Sequence, residues 1–364
     1  MVVPHLRQGG VVNVVYNLCK ELVLRGEIHV HVLSLRKETS NTMAANFVTL
    51  GIKVELLNNS YLDCEIFTEK VVRQVQCYVD QNDIHLVHSH EYHAAMVCSR
   101  LSNVVRVSTL HNRATEDYTN VFGKYFGGYM LKRYFQALDK YQFNVAVSQS
   151  AEELYRLYIP NVTHVNNGVD VDFFRPVENN RVMELKRFLN LPPKGKIIVS
   201  AGRIEKEKRV EQLVSWFHDQ DHSDFYLLIL GEGKKLSRCK SIAVNDNHII
   251  FTGKVANVAD YFSCSDYYIS YSRSEGMSLA VCEGVSSGLF PILSDIPSHH
   301  DVGDEINALF FSEPSQIILN SLESARCEKN FYHNYIRDNF SIYTMTNGYL
   351  KVYEKCTNWY YNKR

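Results

Sequence analysis

No run in the 364-residue sequence approaches the roughly 20 apolar residues that a helix needs to cross a bilayer. No signal-peptide pattern opens the chain. There is no C-x-x-C pair; nine cysteines stand singly, so neither a disulfide framework nor a cysteine metal site is indicated. A reduced, cytoplasmic setting is the expectation. There is no charge surplus either. The 39 Lys and Arg oppose 40 Asp and Glu, a net charge of −1, so no global basic field is present to hold nucleic acid. Low-complexity segments are absent, and so are internal repeats beyond two similar halves. The length is too great for one ordinary core and suits two domains.

What is present centres on one stretch. Residues 266–271 are apolar and rich in Tyr and Ile, as in a buried strand. Ser272-Arg273-Ser274-Glu275-Gly276-Met277-Ser278-Leu279 follows, then a short helical pattern through Glu283 and a second apolar run, 289–293. Gly276 permits a sharp turn or close approach to a ligand. A helix starting near Met277 leaves free N–H groups in its first turn, where an anion is favoured. Glu275 and Glu283 stand eight positions apart, about 12 Å of helical rise. That is too far to share one proton or one metal. They suit hydroxyls at the two ends of an elongated ligand with a phosphate between, the shape of a nucleotide-diphosphate sugar. A plainer alternative makes Glu275 a first-turn acid and Glu283 an exposed side chain; apolar Val281, Cys282 and Val285 weigh against it.

Earlier in the chain, Val11, Val14, Val15, Leu18, Cys19 and Leu22 recur at helical spacing after Gly9-Gly10. Strand, Gly-Gly, helix is a mononucleotide-type opening. Residues 29–35, 52–57, 84–87 and 104–110 read as strands and 67–79 as a helix. His88-Ser89-His90-Glu91-Tyr92-His93 is dense enough in histidine to raise metal binding. Tyr92, however, stands where the H-x-H-x-D-H pattern of metallo-β-lactamase-like hydrolases needs Asp, and no metal is expected. His111 closes a strand, and such a position points into the ligand crevice of an open α/β sheet. Residues 124–141 mix aromatics with Lys124, Lys132, Arg133 and Lys140. Their spacing describes a half-buried helix, and its basic aromatic face also suits an anionic membrane surface, with Lys132 and Arg133 carrying the contact.

These blocks resemble the retaining glycosyltransferases of the GT-B fold, family-four type (glycosyl transferases group 1). Glu275-Gly276 with Glu283 is similar to that family's E-x7-E motif, usually P-S-x-x-E-G-F-G-L-x-x-x-E-A. Here Tyr271 replaces the Pro, Met277 the Phe, Ser278 the second Gly and Gly284 the Ala. Thr109-Leu110-His111 resembles the family's T-x-H, and Asn167-Gly168-Val169-Asp170 with Phe174 and Pro176 its linker block. Gly202-Arg203 with Lys208 resembles G-R-x-x-x-x-K, with Lys206 and Arg209 as rival cations and Arg209 in place of a Gly. Gly231-Glu232-Gly233, Phe251-Thr252-Gly253-Lys254-Val255, and Phe340-Ser341 with Tyr349 and Tyr353 match further blocks, so the resemblance covers nearly the whole chain.

The resemblance implies an α/β GT-B fold, two Rossmann-like domains facing across a cleft. The expected boundaries are 1–168 on the acceptor side, 169–343 on the donor side, and a helix at 344–364 crossing back. It implies a retaining hexosyltransferase that moves a sugar from a nucleotide-diphosphate sugar, UDP-linked by preference, to an acceptor hydroxyl. Arg203 and Lys208 would hold the diphosphate and stabilise it as it leaves. Glu275, Gly276, Met277, Ser278 and Leu279 would hold the donor sugar and phosphate, Glu283 the ribose, and Gly253 and Val255 the base. Gly9 and Gly10 would form the glycine loop and His111 would sit near the reacting sugar. No cofactor beyond the nucleotide sugar and no metal are implied. The acceptor would be a glycan or lipid-linked saccharide of bacterial polysaccharide or lipopolysaccharide assembly, and peripheral contact with the inner membrane surface is expected. Two rivals remain: a nucleotide-sugar 2-epimerase of the same fold, and a catalytically silent GT-B partner module.

Overall fold

Short apolar, β-branched segments become strands buried on both faces, as parallel sheets require when helices cover each side. In the computed structural model, residues 1–38, 41–116, 118, 123–222, 224–322 and 328–362 are described. The chain divides into two units, Met1–Gly168 with Ile342–Arg364, and Val169–Ser341.

The first unit carries β1 (Val2–Val3), β2 (His31–Arg36), β3 (Lys53–Asn59), β4 (Leu86–His90), β5 (Val105–Leu110), β6 (Phe143–Ala146) and β7 (Val162–His164). They form one sheet in the order β3-β2-β1-β4-β5-β6-β7, every pairing parallel. The second unit carries β8 (Lys196–Ala201), β9 (Phe225–Leu230), β10 (Ile249–Gly253), β11 (Tyr267–Ser270), β12 (Phe290–Ser294) and β13 (Leu309–Phe311). Their order is β10-β9-β8-β11-β12-β13, again parallel throughout. Both are doubly wound, Rossmann-like sheets. The order reverses between β1 and β4 and between β8 and β11. Chain leaving the carboxyl ends of those neighbours diverges and opens a crevice there.

Three local expectations are corrected. β4 runs on to His90, so His88 and His90 are strand residues rather than loop residues; pairing of His88 with Val107 and His90 with Thr109 extends the ladder. The helix after the E-x7-E turn begins at Leu279, not near Met277, with Ser278 at its N-cap in an extended conformation. The aromatic helix spans Lys124–Leu138 and stops short of Tyr141.

The last helix, Ile342–Asn362, belongs to the first unit. It docks through polar side chains as well as apolar ones. Tyr349 and Thr109 share a hydroxyl–hydroxyl bond of 2.8 Å, and Tyr353 OH lies 2.8 Å from His88 Nδ1. No helix among the described residues is long and apolar enough to cross a membrane.

Packing also explains one departure from the family motif. A Cβ added to Gly284 would lie 2.6 Å from Cδ2 of Tyr268, a buried ring whose hydroxyl donates to the Ala201 carbonyl at 3.3 Å. The overpacking costs about 1–3 kcal/mol and alanine's better helix propensity returns about 1 kcal/mol of it, so Gly284→Ala should destabilise the fold by up to about 2 kcal/mol. Urea unfolding checks this, and a rise in the midpoint would refute it.

Candidate active site

In the second unit, loops from five strand ends are stitched together by backbone bonds. Gly202 N–H donates to Leu230 O at 2.9 Å, Ile204 N–H to Glu232 O at 2.9 Å, and Gly231 N–H to Gly253 O at 2.8 Å. This joins the turns after β8, β9 and β10. Arg273 N–H donates to Glu207 O at 2.8 Å, which ties the turn after β11 to the 3-10 turn Lys206–Lys208. Ser294 Oγ donates to Ser272 O at 2.7 Å and fastens the end of β12 to the same turn.

The result brings Lys208 Nζ to 2.9 Å from Glu275 Oε1, with the carboxylate side chain only 10% exposed. Among the rival cations, Lys208 is the one on Glu275. Lys206 is exposed, and the Arg209 guanidinium lies 4.6 Å from the centre of the Tyr271 ring. Arg203 is exposed beside Lys208 at a recess that Gly202, Ser270, Tyr271 and Ser272 also line. His299, wholly buried, places Nε2 3.7 Å from the same Glu275 oxygen. Burial alone would raise the Glu275 carboxyl. Lys208, together with His299 and Ser272, outweighs it and holds the group well below the usual carboxylate range. Removing the cation from such a pair costs about 3–5 kcal/mol, because a buried charge is left uncompensated. Ser274 Oγ and His299 Nε2 are buried and have no hydrogen-bond partner among the described residues.

Glu283 is half-buried one helical face further on, and burial pushes its carboxyl up to about 7. Gly276, Met277 and Ser278 are buried in the turn; Leu279 is half-buried where the helix begins. Gly253, the last residue of β10, and Val255, just beyond it, are half-buried.

Two motif replacements belong together physically. Tyr271, in place of the Pro, donates its hydroxyl to Glu313 Oε2 at 2.8 Å and stacks on Phe311. Arg209, in place of a Gly, keeps a left-handed backbone (φ 49°) and covers the Tyr271 ring.

The first unit gathers a different set. The histidines of the dense run go to separate partners. His88 Nε2 meets Thr109 Oγ1 at 2.6 Å, His90 Nδ1 meets His111 Nε2 at 2.9 Å, and His93 faces Glu65 at 3.3 Å. Burial pushes His111 down to about 3, and lowers His90 well below the ordinary value with His88 and His111 adding to the effect. Among the described residues no group of three or more His, Cys, Asp or Glu is placed to hold a metal. Gly9 caps the helix Gly10–Arg25 in an extended conformation, and a Cβ on Gly10 would meet nothing within 4 Å. Neither glycine is demanded by its own backbone.

Sequence reasoning passed over two residues here. His299 had no motif to mark it; its signal was a histidine just past the Pro297 that follows β12. Glu91 follows β4 at the switch point with φ 69°, a strained value for a residue with a side chain. Burial pushes its carboxyl up to about 7 against the lowering effect of Arg36 and Arg7.

The helix Lys124–Leu138 buries Met130, Tyr134, Ala137 and Leu138. It leaves Tyr125 94%, Phe126 51% and Tyr129 55% exposed. Arg133 is corrected as a surface cation: it ion-pairs with Glu65 and donates to the Glu65 carbonyl at 3.3 Å. Lys124 and Lys132 remain exposed.

The Glu283 shift predicts a pH signature. Folded Glu283 keeps its proton to about pH 7, against an ordinary value of 4.5. The stabilisation this provides is complete below the ordinary value and is lost as pH rises through about 7. Glu283→Gln, which cannot ionise, should therefore gain in urea midpoint relative to the unmodified chain between pH 4.5 and pH 8. A difference that stays constant with pH would refute the shift.

Comparison with known proteins adds the family. The family model described as Glycosyltransferase Family 4 matches residues 8–173, and that described as Glycosyl transferases group 1 matches residues 182–333. The chain is 28% identical over 160 residues to alpha-monoglucosyldiacylglycerol synthase of Streptococcus pneumoniae, a match covering 41% of this chain and only 36% of that protein. It is 22% identical over 259 residues to the O-antigen biosynthesis glycosyltransferase WclY of Escherichia coli, covering 68% of this chain and 71% of that one. Anabaena HepE, solved in complex with UDP, shares the fold with a TM-score of 0.81 over 97% of this chain and 98% of its own, at 14% identity. With the two models taking up the two units in turn, the chain belongs to the glycosyl transferases of group 1, with the GT-B fold.

Proposed function

We propose that the protein transfers a sugar, with retention of anomeric configuration, from a UDP-sugar to a hydroxyl of a glycan or lipid-linked saccharide. The Lys208–Glu275 ion pair carries this assignment: an acid that can bind sugar hydroxyls and a cation that can bind phosphate meet at the switch point of the second sheet. Arg203, exposed beside them, supplies a second positive charge. Two cations stabilise a diphosphate as it leaves, which is the work a divalent metal does elsewhere. On this reading the reaction is metal-independent.

The residues divide the donor between them. Arg203 and Lys208 take the diphosphate. Glu275 takes the sugar hydroxyls, and Glu283 the ribose. The turn from Gly276 through Leu279 offers backbone N–H groups to the phosphate at the start of the helix Leu279–Ser286. Gly253 and Val255 border the base. In the first unit, Gly9 and Gly10 leave a helix start open, and neutral His111 stands near the acceptor. The bond from the anomeric carbon to the phosphate oxygen breaks, and a bond to the acceptor oxygen forms on the same face. The acceptor proton passes to the leaving diphosphate, so no protein base is required.

Arg203→Ala should lower kcat about 10²–10³-fold with the fold intact. A thermal-shift panel of nucleotide sugars identifies the donor for that assay, and EDTA is added in parallel. Near-normal turnover of Arg203→Ala would refute its role, and loss of activity to EDTA restored by zinc would refute metal independence.

The acceptor side of the reading is glycolipid or O-antigen assembly at the cytoplasmic face of the membrane. The names of the pneumococcal and Escherichia coli relatives support it. So do exposed Tyr125, Phe126 and Tyr129 between Lys124 and Lys132 on one helix. The unmodified chain should sediment with vesicles containing anionic phospholipid. Replacement of Tyr125 and Phe126 by Ser with Lys132→Glu should release it, whereas Arg133, held by Glu65, should matter less. No sedimentation of the unmodified chain would sink the membrane contact.

A further inference from the structure

Glu275 has a second partner, His299. His299 lies in the helix Pro297–Gly303, directly after β12, and is entirely buried. Its Nδ1 lies 2.8 Å from the Ser294 carbonyl oxygen. A carbonyl can only accept, so this contact fixes a proton on Nδ1. Nε2 is directed at Glu275 Oε1 at 3.7 Å and has no hydrogen-bond partner among the described residues. A neutral ring with its proton on Nδ1 sets a lone pair against a carboxylate. The imidazolium sets a proton there instead.

We infer that His299 is a positioning residue that takes over the compensation of Glu275 when Lys208 turns to the donor diphosphate. This rests on the role of Lys208 proposed above. In the structure Lys208 is held by Glu275 at 2.9 Å. As its ammonium turns toward phosphate, less of it remains for the carboxylate, and a buried acid without compensation takes up a proton or swings out. His299 acts on the same oxygen from a fixed mount and keeps Glu275 ionised and aimed at the sugar. The mount is rigid. The next residue, His300, bridges Asp295 at 2.8 Å and Asp304 at 2.7 Å and stacks on Phe310. Ser294, which holds Nδ1, also bonds the Ser272 carbonyl in the Glu275 turn at 2.7 Å.

Two substitutions separate the contacts, because an Asn amide nitrogen takes the place of Nδ1 and a Gln amide nitrogen that of Nε2. In the full chain, His299→Gln should keep kcat within about threefold, while His299→Asn should lose about 10–100-fold in kcat with a smaller change in donor KM. The reverse order, Asn near normal and Gln defective, would mark a purely structural role through Ser294 and overturn the inference. So would normal turnover of both. If His299→Asn does not fold, His299→Gln decides alone, in turnover and in the unfolding cycle with Glu275→Gln: turnover within about threefold with non-additive midpoints supports the inference, and a hundredfold loss or additive midpoints overturn it. A substrate-free measurement keeps this separate from the proposed activity: a double-mutant cycle of His299→Asn with Glu275→Gln in urea unfolding. Non-additive midpoints support the contact and additive ones refute it, whether or not any sugar is transferred. Failure of the unmodified chain to turn over any nucleotide sugar would count against the proposed activity and leave the unfolding cycle to decide on His299.

Discussion

A carboxylate withdrawn almost completely from water must be compensated, and Glu275 is such a group. Its side chain is 10% exposed and meets Lys208 at 2.9 Å and His299 at 3.7 Å. Compensation of this kind is demanding in geometry, because attraction in a poorly solvated site falls quickly with a lost contact. The carboxyl ends of β8, β11 and β12 must therefore be held in register with one another. The bonds from Arg273 to Glu207 and from Ser294 to Ser272 do that. Positioning the Glu275 carboxylate and positioning the Lys208 ammonium are thus one structural requirement.

Parallel topology explains why the chemistry collects where it does. With every strand of a sheet running the same way, all the turns at one end follow the carboxyl ends of strands. The order reversal between β8 and β11 opens that end to a ligand. The first unit uses the same geometry differently. Its switch point between β1 and β4 is furnished with histidines kept neutral by burial and with Glu91 in a strained backbone. Strain of that kind persists where the surroundings over-determine the backbone. The last helix closes this region by presenting Tyr349 and Tyr353 to Thr109 and His88.

The departures from the family pattern are compensated locally rather than scattered. Gly284 leaves room for the Tyr268 ring, which reaches the Ala201 carbonyl under β8. Tyr271 and Arg209 stack on each other, with Glu313 taking the Tyr271 hydroxyl. At these three positions the replaced residue faces a partner of matching size or charge.

The sequence by itself determined the two sheets, the strand-turn-helix around Glu275 and the segments that belong to the family. Apolar runs and helical spacing report on burial and backbone hydrogen bonding over a few neighbouring residues, and both are local quantities. Even so, strand ends slipped where polar residues are buried: His88 and His90 read as loop because their imidazoles are polar, yet they pair in β4 and bond within the core. Only the tertiary structure decided which cation meets Glu275, that His299 joins it, and that Arg133 is taken by Glu65. Those pairs join residues far apart in the chain, and several cations of equal charge were available for each acid. Spacing along the sequence cannot choose among them; the packing of strands and turns, which sets distances of a few ångströms, does.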